Sequence, residues 1–274
     1  MTNQPNLPMR GAWAFRVFVC FAFGYFLSYA FRSVNAVIAP ELMQDLNISN
    51  SQLGLLSAAY FVGFSTMQIP LGVALDKFGA RRTESVLLLI ALVGAITFAY
   101  AESLLGLTVG RLLIGVGVSA CLMASFTAYR RWFAIEQQGQ LASAMLVFGT
   151  MGALITTVPV QLALPHIGWR GVFWVTALLV ALSFIAIRFG LPTFDDHPTS
   201  NNQNSSAEEK SFSLKDILRH SFFIRMLPIG IVNHGGFLSL QTLLIVPWMI
   251  QVLGYEPEQR AQILFLFNCV MLLG

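Results

Sequence analysis

Charged residues are scarce in this sequence, which argues against a water-soluble fold. Asp, Glu, Lys and Arg make up 11% of the 274 residues, and hydrophobic residues make up 56%. A soluble globular domain carries about 25% charged residues. This chain therefore has too few polar side chains to cover a water-facing surface, and a lipid bilayer is the medium that suits its composition.

Cysteine and the usual catalytic groupings are scarce as well. The sequence has 3 cysteines, and because Cys20, Cys121 and Cys269 all fall inside apolar runs, no disulfide framework is predicted. We find no metal-ligand cluster, no nucleophile–base arrangement and no phosphate-binding loop. The stretch GVGVSA (115–120) fits a dinucleotide fingerprint, but that fingerprint needs a preceding strand. We therefore predict neither an enzyme nor a cofactor or metal.

What the sequence does contain is a series of long apolar runs. A helix needs about 20 mostly apolar residues to cross a bilayer, and these runs do not alternate as barrel strands do. Backbone groups in lipid must pair within their own segment, so the predicted fold is all-α and integral to the membrane. The runs lie near 13–39, 51–75, 84–101, 104–129, 139–164, 169–189 and 224–250, with an eighth starting near 260.

The basic residues predict the orientation of the chain. If the N-terminus is cytoplasmic and the spans alternate, twelve of the 16 Lys and Arg residues lie inside. Only Arg170 and Arg260 then lie outside. Cytoplasmic loops are enriched in Lys and Arg, so we predict a multi-pass protein of the inner (plasma) membrane with a cytoplasmic N-terminus. The inside residues are Arg10, Arg16, Lys77, Arg81, Arg82, Arg130, Arg131, Arg188, Lys210, Lys215, Arg219 and Arg225.

The spans suggest three regions: a six-helix half at 1–190, a cytoplasmic linker at 191–223 and the incomplete start of a second half at 224–274. Within the linker, 214–223 is either an amphipathic helix on the inner membrane surface or simply the start of span seven. The stretch after span seven repeats the stretch after span one, as in transporters built from two parallel six-helix halves. At an offset of 207 the identities are Pro40–Pro247, Gln44–Gln251, Leu46–Leu253 and Gln52–Gln259.

A polar loop between spans two and three carries a family resemblance. The loop, GVALDKFGARR, fits the pattern G-x-x-x-D-[RK]-x-G-x-[RK]-[RK] and is similar to the signature loop of the major facilitator superfamily. Span four contains RLLIGVG, which resembles the R-x-x-x-G-x-G element of that family at Arg111 and Gly115. The resemblance implies a major-facilitator-type helical bundle: a six-helix N-terminal half plus span seven and part of span eight. The loop pattern is formed by Gly72, Asp76, Lys77, Gly79, Arg81 and Arg82.

The resemblance also implies a gating role for this loop. We expect Gly72 to let a neighbouring helix approach closely and Gly79 to permit a tight turn. Asp76 is expected to pair with a basic residue or to face a helix N-terminus. Such a cluster, made when the cytoplasmic side is shut and broken when it opens, would be a two-state latch. The alternative is that the basic residues only enforce topology.

Arg32 is the main candidate for binding a substrate. Ionisable groups at membrane depth are costly and are functional candidates. Tyr25, Tyr29 and Arg32 share one helical face, and a guanidinium can bind a carboxylate or phosphate through two hydrogen bonds. The stretch YAFRSVNAVIAP, which includes Asn35, resembles span one of organic-anion and organophosphate transporters. A structural partner for Arg32 in the second half is the alternative.

Other polar residues within the spans leave more than one interpretation open. Arg111 either hydrogen-bonds groups of span one or belongs to a proton path. His234 and Gln241 share a face of span seven, where His234 takes a proton, binds substrate or packs as an ordinary histidine. No Asp or Glu lies deep in a complete span, so we do not expect proton coupling through a carboxylate of the first half.

These patterns together predict a secondary active transporter of a small organic anion that works by alternating access. By the repeat, Arg32 corresponds to Ser239. Organophosphate exchangers of the resembling family typically use an arginine from each half, so this departure favours a monocarboxylate or zwitterion over a phosphate ester. The alternatives are a transporter-like receptor that binds ligand without transport and a drug–proton antiporter. The expected partners are an anionic small molecule and the lipid bilayer, with a coupling proton left open. We expect no nucleic-acid partner, and we expect the protein to be a monomer.

The length of the chain carries one further expectation. Members of the resembling family normally have twelve spans, whereas this sequence stops at Gly274 within an apolar run that begins at Ala261. We therefore expect a C-terminally truncated chain, and the predicted function is that of the full-length protein.

Overall fold

The computed structural model describes residues 11–191, 219–240 and 244–273, and within them the chain forms helices joined by short turns, without a strand. Five segments of the described chain are long and apolar enough to cross a membrane. An all-α membrane fold is therefore confirmed. The helices of these segments are α1 (Ala12–Leu46), α2 (Asn50–Tyr100), α3 (Leu104–Val118) with α4 (Cys121–Trp132), α5 (Gln138–Ile155) and α6 (Val158–Gly190).

Two glycines divide the longest helices where the sequence predicts loops. Gly79 interrupts α2 with a φ of 77°, so the two parts of α2 correspond to predicted spans two and three. Gly168 interrupts α6 in the same way with a φ of 64°. Glycine is the residue that adopts positive φ without steric cost. The predicted tight turn at Gly79 is therefore present.

Predicted span five contains a break that the hydropathy pattern, which runs from 139 to 164, does not show. The span comprises α5, which ends at Ile155, and the first part of α6, which begins at Val158 and runs to the turn at Gly168. Pro159 lies in the first turn of α6. Proline is tolerated there because the amide groups of the first turn have no partner within the helix. The proline therefore marks a helix start that a hydropathy window does not detect.

The remaining described helices follow residue 218. They are α7 (Ser221–Gly230), a π-helical segment (Ile231–Gly235), α8 (Gly236–Ser239), α9 (Ile245–Gln251) and α10 (Pro257–Leu273). Contacts divide the chain into two compact units, one made of Met1–Asp196 with Tyr255–Gly274 and the other of His197–Gly254. Within the first unit, α10 contacts α5 and α6. Most of the predicted linker, 192–218, lies outside the described residues.

Glycines allow the helices of the first unit to pack backbone against backbone. A Cβ atom at Gly115 of α3 would lie 2.1 Å from the carbonyl oxygen of Tyr60, and one at Gly117 would lie 2.3 Å from the amide nitrogen of Ala91. On α5, a Cβ atom at Gly152 would lie 2.1 Å from the carbonyl oxygen of Phe26. Small residues allow such close approach in membrane helices. The glycines of the dinucleotide-like stretch therefore serve helix packing.

The outer surface of the first unit is apolar. Large hydrophobic side chains are exposed along the spans, as expected when the surrounding medium is lipid rather than water. Examples are Leu55, Val62, Ile69, Val73, Val86, Val93, Leu146, Leu162, Trp174, Leu178 and Ile185.

The predicted repeat recurs in the backbone at two corners of the chain. Asn47 and Gly254, which are 207 residues apart, both have positive φ, at 51° and 64°. Two residues later, the backbone N–H of Ser49 donates to Gln52 Oε1 at 2.7 Å, and that of Glu256 donates to Gln259 Oε1 at 3.1 Å. A Gln three residues into a helix commonly caps its start in this way. The repeat therefore preserves the positive φ and the glutamine bond at the helix start.

Candidate functional site

Arg32 lies on α1 between two aromatic rings. Its guanidinium carbon is 4.9 Å from the ring centre of Tyr29 and 4.8 Å from that of Phe64 on α2. Its Nε donates to Tyr60 Oη at 3.4 Å. The side chain is half-buried, and no acceptor for its Nη atoms is found among the described residues. Arg32 is thus held by its Nε and by the two rings, whereas its two Nη groups remain available as donors.

Tyr60 and Phe64 are site residues that our reading of the sequence missed. They lie one helical turn apart in the first part of α2, so they present their rings on one face. The hydroxyl of Tyr60 also donates to the Ser28 carbonyl at 3.5 Å. The available signal was the spacing of two aromatics in YFVGF. That signal alone does not say which neighbouring helix the rings meet.

The predicted tyrosines of α1 lie beside Arg32. The rings of Tyr25 and Tyr29 meet edge to face, with centres 5.1 Å apart. Gly149 of α5 packs against both, since a Cβ atom there would lie 2.7 Å from Tyr25 and 3.1 Å from Tyr29. Tyr25 is only 3% exposed. Tyr29 therefore contacts the guanidinium directly, and Tyr25 supports Tyr29 from behind.

Arg111 and Asn35 form a second, fully internal cluster. Arg111 on α3 is 1% exposed, and its Nη atoms donate to the Phe31 carbonyl at 3.0 Å and to Asn35 Oδ1 at 2.6 Å. Asn35 in turn donates to Ser57 Oγ at 2.8 Å. The rings of Phe98 and Phe173 cover the guanidinium.

This cluster bears on two predictions. Of the two interpretations of Arg111, hydrogen bonding to span-one groups is the one the contacts support. Asn35 is predicted to bind substrate, but it is 4% exposed and both ends of its amide are occupied by Arg111 and Ser57. Asn35 therefore positions helices here, and a substrate contact by Asn35 is not favoured.

Replacing Arg111 with leucine should destabilise the protein by about 2 kcal/mol, because Asn35 Oδ1 would be left buried without a donor. Adding Asn35→Leu should cost less than the sum of the two single changes, since the orphaned oxygen is then removed. Thermal unfolding in detergent would measure both effects. An unchanged midpoint for the single variant would contradict this structural role.

The polar loop between the two parts of α2 is tied down by its basic end. Arg81 is buried and donates to the carbonyl oxygen of Arg188 at the end of α6. Thr83 Oγ1 donates to the Ala74 carbonyl at 3.1 Å across the turn at Gly79. These bonds hold the turn against the rest of the first unit.

The other residues of the loop pattern face outward. Asp76, Lys77 and Arg82 are exposed, and among the described residues Asp76 forms no ion pair. A Cβ atom at Gly72 would meet no atom within 4 Å, so the close helix approach expected at Gly72 is absent from the described part of the chain. Gly72 and Asp76 therefore lie on a surface that no other described residue covers.

The opposite end of the bundle carries an ion pair. Asp45 at the end of α1 accepts from Arg170 Nη1 at 2.5 Å and from Trp169 Nε1 at 3.1 Å. Arg170 also donates to the Ala101 carbonyl at 3.3 Å. The charge count places Asp45 and Arg170 on the same side of the membrane, and their contact agrees with that placement.

Span seven is only partly described. His234 lies in the π-helical segment, and its side chain is outside the described part. Gln241 lies outside the described residues altogether. Their predicted roles remain predictions.

One sequence-based expectation is wrong. We expected no acidic residue deep in the first half, yet Glu84 is 0% exposed and neither of its carboxylate oxygens has a hydrogen-bond partner among the described residues. The hydropathy pattern puts Glu84 at the edge of span three, beside Arg81 and Arg82. The helix resumes directly after Gly79, however, so Glu84 is already inside the bundle.

Comparison with known proteins decides the family. Residues 21–274 match the sequence profile of the Major Facilitator Superfamily. The chain belongs to the Major Facilitator Superfamily. The family and the fold point to a membrane transporter and not to an enzyme.

Several relatives of this superfamily member are named as transporters of organic anions. A probable sulfoacetate transporter of Cupriavidus necator is 31% identical over 149 residues, covering 54% of this chain and 35% of the relative. A hexuronate transporter of Escherichia coli K12 is 30% identical over 189 residues, covering 69% of this chain and 43% of the relative. This chain therefore spans less than half the length of these two relatives.

Solved structures agree with the family assignment at the level of the fold. A D-xylose–proton symporter superposes with a TM-score of 0.69 at 16% identity, covering 95% of this chain and 67% of that one. A peptide transporter in complex with sulfate superposes with a TM-score of 0.59 at 15% identity, covering 86% and 50%. At such identities the likeness concerns the helical architecture alone.

Proposed function

We propose that the protein is a secondary active transporter that moves a small organic anion across the inner membrane by alternating access. Arg32 is the residue that binds the anion. The observation that carries the proposal is the guanidinium of Arg32 held between Tyr29 and Phe64, with its two Nη groups lacking an acceptor in the described chain.

Electrostatics supports an anionic ligand at this position. A cation inside a membrane protein is costly unless a partner compensates it. Two aromatic faces and one tyrosine oxygen compensate Arg32 only in part. An anion would supply the missing acceptors, and the planar fork of a guanidinium suits the two oxygens of a carboxylate.

The substrate class follows from a single cation at the site. Because Arg111 is committed to Phe31 and Asn35, Arg32 is the arginine of the described site that remains available to a ligand. One guanidinium matches one carboxylate. We therefore propose a monocarboxylate, and the hexuronate and galacturonate transporters among the relatives make a sugar acid the first compound to test.

The polar loop is the proposed gate on the cytoplasmic side. Arg81 anchors its end to α6, while Gly72 and Asp76 face outward without partners in the described chain. An exposed carboxylate one helical turn from a glycine with open space beside it is suited to dock against another helix. Closing and opening would then make and break that contact.

Proteoliposomes containing the protein should accumulate labelled glucuronate, and unlabelled glucuronate inside the vesicles should accelerate its entry by counterflow. Exchange requires a carrier that alternates between the two sides. Glucose is the matched control, because it has the sugar ring without the carboxylate.

Three outcomes would favour other functions. Binding of glucuronate without counterflow would favour the receptor alternative. Competition by lipophilic cations instead of anions would favour a drug exporter. Equal uptake of glucose and glucuronate would remove the role proposed for Arg32.

A further inference from the structure

A buried carboxyl group lies at the meeting point of four helices, outside the anion site. Glu84 belongs to the second part of α2. A Cβ atom at Gly24 of α1 would lie 2.6 Å from Glu84 Oε1, 3.7 Å from Ser183 Oγ of α6 and 3.8 Å from Cys121 Sγ of α4. Gly24 leaves the space that the carboxyl group occupies.

Glu84 forms no ion pair with any residue that the structure describes. Neither carboxylate oxygen has a hydrogen bond of normal geometry within the described residues, although the weakly donating thiol of Cys121 faces the carboxyl group. The hydroxyl of Ser183, also fully buried, has no partner there either. The titratable groups that face Glu84 are Cys20 of α1 and Cys121 and Tyr129 of α4. A carboxylate without a counterion is strongly disfavoured in such a place, so the neutral acid is the species that fits.

We propose that Glu84 is a proton-binding site of the transporter, which holds a proton in this conformation and gives it to water when the loop end of the bundle opens. A bound sodium ion fits the site less well, because hard cations take about six oxygen ligands. Among the described groups that face Glu84, the thiols of Cys20 and Cys121 offer sulfur instead of oxygen.

The position of Glu84 connects it to the gate. It lies five residues after Gly79, about 7 Å along the helix, and one turn after Arg81, which is bonded to the end of α6. Movement of this turn would release the start of the second part of α2 from α6. Water could then reach the carboxyl group over a short path.

Glu84 is also close enough to the anion site to be coupled to it. Gly24, against which the carboxyl group packs, precedes Arg32 by eight residues, about 12 Å along α1. Loss of the proton would add a negative charge and weaken binding of an anion at Arg32. By linkage, anion binding must favour protonated Glu84 to the same degree. This coupling rests on the proposed function of Arg32.

Infrared spectroscopy of the protein in lipid vesicles tests the proton itself, without any substrate. We expect the carbonyl stretch of a protonated carboxyl group at neutral pH, its loss in Glu84→Gln and its retention in the control Glu102→Gln, where the exposed residue lies in a loop. Absence of the band from the unsubstituted protein, or its persistence in Glu84→Gln, would refute the assignment.

The pH dependence of glucuronate affinity tests the coupling. Affinity should weaken about tenfold as the pH rises through the titration of Glu84. Glu84→Gln should bind at all pH values with the affinity of the protonated protein, and Glu84→Asp should keep a pH dependence. An unchanged pH profile in Glu84→Gln would overturn the coupling while leaving the role of Arg32 intact. A response to sodium at constant pH would mean that the site binds a metal cation.

Discussion

Replacing Arg32 with leucine should lower glucuronate affinity about 100-fold, equivalent to about 3 kcal/mol. Hydrogen bonds to a charged partner contribute about 1.5–3 kcal/mol each, and the Nη donors of Arg32 have no acceptor in the described part of the chain. Isothermal titration of the detergent-solubilised protein would measure the loss. The fold should survive, because leucine fills the space between Tyr29 and Phe64 without a charge.

Graded variants separate the charge of Arg32 from its geometry. Arg32→Lys keeps the charge but loses the planar fork, and we expect about a tenfold loss. Tyr60→Phe removes the hydroxyl that accepts from Nε and should cost a smaller factor. Arg130→Leu is the matched control, because Arg130 is exposed and lies at the end of α4. Full affinity in Arg32→Leu would refute the anion site.

Adding a single methyl group at Gly115 should destabilise the bundle by about 3 kcal/mol or more. The new Cβ atom would lie 2.1 Å from the Tyr60 carbonyl oxygen, and backbone cannot move aside as a flexible side chain can. Helices α2 and α3 would have to separate where Tyr60 supports Arg32. We therefore expect Gly115→Ala to lose both thermal stability and anion affinity.

Gly54→Ala provides a control of opposite sign. A Cβ atom at Gly54 would meet nothing within 4 Å, and alanine is favoured over glycine in a helix by about 1 kcal/mol. This variant should unfold at the same temperature or a higher one. If both variants behaved alike, close packing at Gly115 would not be the cause.

Features that depend on one helix at a time could be predicted from the sequence. The contact of Tyr29 with Arg32 follows from helical spacing, and the turn at Gly79 follows from its polar surroundings. The close packing at Gly115 follows from a small residue in an apolar run. The repeat could be recognised as well, because the residues that shape a helix start are local in sequence.

Features that depend on which helices meet could not be predicted in this way. Tyr60 and Phe64 belong to the site only because α2 lies against α1. From the sequence, Asn35 resembles a residue of the substrate cleft, but in the structure its side-chain oxygen accepts a hydrogen bond from Arg111. A hydropathy window averages Glu84 with Arg81 and Arg82, and so places it at the edge of span three. In the structure, three other helices surround it.

The matching corners after span one and before α10 bear on how this protein arose. Positive φ at Asn47 and Gly254, followed in each case by a glutamine cap, is the pattern expected of two segments that share an ancestor. Duplication of an ancestral gene would leave such a pair. Lipid-facing positions accept many apolar substitutions and so lose the trace of common ancestry, whereas the chemistry of a chain reversal retains it.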